Sequence, residues 1–229
     1  MTIVPVVIGF GFALLGAAAE RLASVWPAEE ASRRGPGVRT VLLAGGAGIS
    51  GWAVAARSAL PWWATAAYLA FLVLLVLLSA TDLDQRRLPH LLLDPLIVGA
   101  VLFVPFNPAV EPLPAVLGAV IAVAFMGLMG LLVRGGVALG DLYLVAPMGL
   151  LLGWEGVFVA IFIGALLSAV VSIGLLVSRR VGLKSYIPFG PFLVAGTVIT
   201  LVRDDRILGV VARVGTEILI GLATAISPA

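Results

Sequence analysis

The sequence predicts an all-α polytopic membrane protein, a bundle of about eight transmembrane helices with about nine as the alternative. Three observations predict it. Of 229 residues, 62% are hydrophobic and only 11% are charged, against about 25% charged in a soluble domain. The mean hydropathy is +1.19. The charges gather between apolar runs of roughly 20 residues, the length that crosses a hydrocarbon core of ~30 Å. A water-soluble globule is excluded, and residues 1–229 read as a single integral membrane domain.

The apolar runs give the elements in order. The first span is Thr2–Ala19, ended by Glu20-Arg21. Its first basic residue follows the apolar run, so it is expected to be a span and not a secretory signal peptide. Residues 20–39 form a short loop with Arg33-Arg34 and the breaker Gly35-Pro36-Gly37. Thr40–Ala56 is the second span. Pro61 opens the third, Trp62–Ala80, whose paired tryptophans suit a membrane interface. The polar segment 81–90 ends in Leu88-Pro89, and Leu91–Phe106 is the fourth span. A proline-rich turn, Asn107–Pro114, leads to the fifth, Ala115–Val133. The apolar stretch Leu142–Val177 is too long for one crossing. Interrupted near Gly153-Trp154-Glu155-Gly156, it reads as a short sixth helix and a full seventh. Ile187–Val202 is the eighth span, and Ile207–Ile226 is a last span or an interfacial helix.

Orientation follows from the arginines and lysines. Of 14 basic residues, Arg21, Arg33, Arg34, Arg39, Arg86, Arg87, Arg134, Arg179, Arg180 and Lys184 fall in alternate loops. The opposite loops hold Arg57, Arg203 and Arg206, and Arg213 lies in the last apolar segment. The positive-inside rule puts the richer set in the cytoplasm and the N-terminus outside.

Composition also removes chemistry. With no cysteine, disulfides, thiolate metal sites and a cysteine nucleophile are excluded. A single histidine, His90, leaves no two-histidine metal site. Neither metal nor cofactor is expected, because only carboxylates remain as ligands. A net charge of +2 gives no reason to expect a nucleic-acid partner.

The chemistry therefore rests on the 12 acidic residues. Glu20, Glu29, Glu30, Asp204 and Asp205 lie among arginines and read as loop solvation. Glu111 and Glu155 read as outer-loop residues. Asp94 lies one turn into the fourth span, where an ionisable group suggests function, yet it shares a helix face with His90 and the two can satisfy each other. Asp82 and Asp141 stand apart, closing the third span and opening the sixth at the same membrane depth. Two carboxylates at hydrogen-bonding distance do not both ionise cheaply, so one keeps a proton while the other acts as base. Such a pair activates water for attack on an amide and protonates the leaving nitrogen. Taken singly, Asp82 reads as a salt bridge to Arg86 and Asp141 as a helix N-cap after Gly140.

The flanking residues favour the pair. Asp82-Leu83-Asp84-Gln85-Arg86-Arg87-Leu88-Pro89 resembles the D-x(5)-[IL]-P segment of the prepilin peptidases, the type IV leader peptidases of the intramembrane GxGD aspartyl protease class. Ala138-Leu139-Gly140-Asp141, leading to Gly153-Trp154, resembles their second signature. Ile187-Pro188-Phe189-Gly190-Pro191-Phe192-Leu193 looks like their late IPFGPFL motif. Gly11 to Glu20-Arg21, closing on Trp26-Pro27, is similar to their first helix and its exit.

The resemblance implies a membrane endopeptidase that cleaves the basic leader of type IV pilin-like, pseudopilin or Flp/Tad-like precursors. It places the cut on the cytoplasmic side, just before the substrate's hydrophobic helix. It implies Asp82 and Asp141 as the catalytic pair and Gly140 as a point of close backbone approach. Pro89 and Pro188–Pro191 would shape the site, and Asp84 would tune local charge or meet the leader. There are departures. Ala138 stands in place of the first glycine, and Tyr143 in place of the usual lysine after the second aspartate. Pro147 is expected to bend its helix. The 20–39 loop lacks the cysteine-bearing segment associated with methylation, so methyl transfer is not expected. Two other readings are a catalytically silent assembly subunit of a pilus or secretion system, and a small proton-coupled transporter using Asp94, Asp141 and His90.

Overall fold

The computed structural model describes residues 3–26, 35–57, 60–132, 138–179, 182 and 187–202. Arg33, Arg34, Arg134, Gly135, Gly136, Arg180, Lys184 and the segment Ile207–Ile226 lie outside them. Among the described residues the chain is all-helical: α1 (Ile3–Ala23), α2 (Val38–Arg57), α3 (Trp62–Gln85), α4 (His90–Phe103), α5 (Pro112–Leu132), α6 (Leu139–Val177) and α7 (Gly190–Leu201). A 3-10 turn, Val104–Phe106, extends α4. Helices α1, α2, α3, α5 and α6 are long and apolar enough to cross a membrane, while α4 and α7 are shorter.

Two boundaries differ from the sequence expectation for one physical reason. Helix α1 continues through Glu20-Arg21 to Ala23, and α3 continues past Ala80 to Gln85. Charge ends an apolar run, but Glu, Arg and Gln are good helix formers. The extra turns find polar partners where they leave the apolar layer. Glu20, expected to be solvated, is 7% exposed. Its carboxylate accepts the Thr40 hydroxyl at 3.0 Å and lies 3.7 Å from Arg21 Nε.

Helix α6 is 39 residues long, and its break in helical backbone geometry is at Gly153, φ 73° and ψ 177°. That region is essentially reserved for glycine. The break falls where the sequence placed an interruption, and Pro147 lies inside the helical stretch before it. It frees carbonyls, and the Leu151 carbonyl accepts the Tyr68 hydroxyl at 3.1 Å. Asn107 joins them, receiving the Tyr68 hydroxyl at 2.9 Å and donating its amide to Leu151 at 3.3 Å.

The core sits between α3, α4, α6 and α7, with Leu78, Leu93, Leu96, Leu144, Met148 and Leu193 fully buried. At one end of the bundle, the last turns of α1 and α3 meet the first turns of α2, α4, α6 and α7. Arg39 of α2 bridges to Asp84 of α3 at 3.3 Å, and the Gln85 amide donates to the Ala23 carbonyl of α1. The candidate site lies at this end.

Candidate active site

Asp82 lies in the last turn of α3 because that helix is extended by polar residues before it stops. Arg86 ends it in the left-handed conformation, φ 54°, its amide donating to the Asp82 carbonyl at 2.9 Å. The chain then turns through Leu88 to Pro89, the N-cap of α4. Asp82 is 5% exposed. Its carboxylate accepts the Gly190 amide at 3.0 Å.

That bond explains the late motif. Gly190 is the first residue of α7, with Pro191 second. A proline costs nothing there, because the first amides of a helix have no partner within it. The Gly190 amide is one of these unpaired donors, and it is directed at a carboxylate, the charge a helix N-terminus favours. A Cβ on Gly190 would stand 2.6 Å from Asp82 Oδ2, so glycine is required for the approach.

Asp141 is the third residue of α6 and 3% exposed. Its carboxylate accepts the Ala138 amide at 3.3 Å. This is the reaching-back half of a capping box, and Ala138 has no side-chain oxygen to supply the other half. Asp141 is therefore not the N-cap, which is Ala138, because the helix starts two residues earlier at Leu139. Ala138 sits at φ −81°, ψ 149°, a region any residue adopts, so alanine in place of glycine costs no backbone strain. Gly140 lies against Leu88, whose Cδ1 would be 3.0 Å from an added Cβ. The first two motifs thus touch each other.

Asp82 and Asp141 line one cavity of about 560 Å³, together with Arg86, Arg87, Pro89, His90, Gly140 and Tyr143. The other sequence-derived candidates divide around it. Pro188 and Phe189 lead into Gly190, and Phe189 caps α7. Asp84 is not among the lining residues and instead pairs with Arg39. Asp94 is exposed and lies 3.4 Å from His90 Nδ1, as the shared helix face suggested. His90 meets the Tyr143 ring edge-on at 5.2 Å, a contact between separate helices that no local pattern announces. Among the described residues no cluster of three or more His, Cys, Asp or Glu suited to a metal is present.

Residues 69–173 match the type IV leader peptidase family, a stretch that contains Asp82 and Asp141 but ends before Gly190. The chain is 34% identical over 162 residues to a prepilin leader peptidase/N-methyltransferase of Aeromonas salmonicida (strain A449), covering 67% of this chain and 55% of that protein. To one of Aeromonas hydrophila it is 34% identical over 155 residues, 64% of this chain and 52% of the relative. To one of Bacillus subtilis (strain 168) it is 27% identical over 145 residues, 60% and 56% of the two chains. The chain thus spans about half the length of the curated relatives it matches. No solved structure matches it. With the signature segments carried on apolar helices and both buried aspartates inside the matched stretch, residues 69–173 of this chain are a region of the type IV leader peptidase family.

Proposed function

We propose that this chain is a membrane aspartyl endopeptidase that cuts the basic leader from type IV pilin-like, pseudopilin or Flp/Tad-like precursors. One observation carries the reading: Asp82 and Asp141, distant in sequence, are both nearly fully buried and line one cavity. Burying a carboxylate is costly unless it is paired or used. Among the described residues each of these two accepts only a single backbone amide. A water between them loses a proton to the ionised carboxylate as it attacks the amide carbonyl, and the protonated partner delivers a proton to the leaving nitrogen. The Gly190 and Ala138 amides hold the two carboxylates in orientation.

The protein sits in the bacterial inner membrane as a bundle of about eight spans, with the aspartate end cytoplasmic and the N-terminus outside. The relatives' names carry methyl transfer as well as cleavage, and the proposal covers cleavage alone. A second reading, a silent assembly subunit, draws on Tyr143 standing in the cavity where a lysine is usual.

Co-expression with a precursor in membranes, read by mass spectrometry, tests the proposal. Wild type should release one leader. Asp82→Asn and Asp141→Asn should each lose about 10³-fold in rate, within the range for a positioned acid or base, while remaining inserted. Cleavage that survives both substitutions, or a wild type that cuts no precursor, removes the proposal in favour of the assembly subunit. A product heavier by a methyl group would add the second activity.

A further inference from the structure

A second cleft, of about 180 Å³, lies between α2, α3 and α7. Its near end abuts the active site through the backbone. Leu83 follows Asp82 in sequence, Pro191 follows Gly190, and both line the cleft, while Asp82 and Gly190 share the 3.0 Å hydrogen bond. From Leu83 the α3 wall runs inward to Leu72, about 16 Å at roughly 1.5 Å per residue, about half of a ~30 Å hydrocarbon core. Beyond Leu72 the space between Val54 and Leu201 shrinks to about 10 Å³. Along this seam the free space is therefore larger toward the aspartate end than at depth.

Its α2 wall contains a residue that the described structure leaves unexplained. Glycine inside a helix is about 0.5–1 kcal/mol less favourable than alanine, so an interior glycine calls for a packing reason. For Gly48 and Gly51 the reason is α1, since an added Cβ would stand 3.0 Å from the Ala13 Cβ and 2.5 Å from the Phe12 ring. At Gly46, which lines the cleft, no described atom lies within 4 Å of where a Cβ would be. Ala195 faces it from α7 and Ser50 lies one turn further along α2. In a bilayer, lipid tails are as apolar as leucine, and helices associate where small residues let backbones come close. A cleft walled by Gly46, Ser50 and Ala195 therefore favours a helix over an acyl chain.

We propose that this cleft seats the apolar helix of the membrane-anchored precursor, with its N-terminal end between Leu83 and Pro191. The peptide bond just before that helix is thereby delivered to Asp82. The inference rests on the peptidase reading and adds to it the surface that selects substrates carrying such a helix.

Because the chain has no cysteine, single cysteines can be bridged to a cysteine in the precursor's apolar helix without background. Gly46→Cys and Ala195→Cys, in full-length protein carrying Asp82→Asn so that precursor stays uncut, should give precursor adducts. Val120→Cys, on an exposed face of α5, should give none. Equal adducts at Val120, or adducts at Gly46 only between two copies of this chain, would overturn the proposal. In otherwise wild-type protein, Gly46→Leu should lower kcat/KM for the anchored precursor about tenfold more than for a soluble peptide spanning the leader junction. Equal losses on both substrates would reduce Gly46 to a structural role and sink the inference. The cross-link needs no cleavage, so an inactive wild type fails the peptidase reading without deciding the cleft.

Discussion

The carboxylate of Asp82 reaches its position through one glycine amide more than a hundred residues away in sequence, which makes Gly190 a sharp test at the scale of single residues. Gly190→Ala brings a Cβ to 2.6 Å from Asp82 Oδ2 and must displace one or the other. A misplacement of about 1 Å at a reacting group can cost about 10²-fold in rate. Leader cleavage by purified Gly190→Ala should therefore fall by about that factor while thermal stability changes little. An unchanged rate would detach the late motif from the chemistry. Asp82, Asp141 and Gly190 were legible because each sits in a short motif with fixed spacing. Glu20 was not. In a hydropathy pattern every charge is a boundary, and only the fold shows Thr40 arriving to donate its hydroxyl to the Glu20 carboxylate. The His90–Tyr143 contact and the Arg39–Asp84 bridge join separate helices and leave no local trace in the sequence.

Helix α6 shows how one backbone conformation shapes an element. The Gly-Trp-Glu-Gly segment announced an interruption, and Gly153 takes it in a conformation other residues rarely adopt. Gly153→Ala should destabilise the detergent-solubilised protein by about 1–3 kcal/mol in reversible unfolding. An added Cβ would also press to 2.9 Å from Val110 Cγ1. Tyr68→Phe removes the hydroxyl shared by Leu151 and Asn107 and should cost about 0.6–1.7 kcal/mol, the range for such bonds in membrane proteins. The interruption was readable from composition. The Tyr68–Asn107–Leu151 cluster that secures it was not, because it depends on three elements meeting at one end of the bundle. The ends of α1 and α3 were misplaced by a few residues, since hydropathy marks where a chain leaves lipid and not where hydrogen bonding stops.

In the proposed orientation the two ends of the whole bundle face opposite sides of the membrane. Exposed Arg87 lies at the aspartate end and exposed Glu155 lines a cavity with Glu111 and Gly153. In the cysteine-free chain, Glu155→Cys should react with an impermeant maleimide on intact cells, and Arg87→Cys only after permeabilisation. The reverse pattern would invert the orientation. Cleavage by an aspartate pair should also show a bell-shaped dependence of kcat/KM on pH, falling when the base is protonated and again when the acid loses its proton. The central claim is that Asp82 and Asp141 work as one unit. Its most direct test is the leader-cleavage rate of Asp82→Asn, Asp141→Asn and the double variant, compared in one assay. Groups that act together are grossly non-additive, so the double variant should be no slower than the slower single variant. Losses that multiply, or a single variant that retains the wild-type rate, would contradict the account.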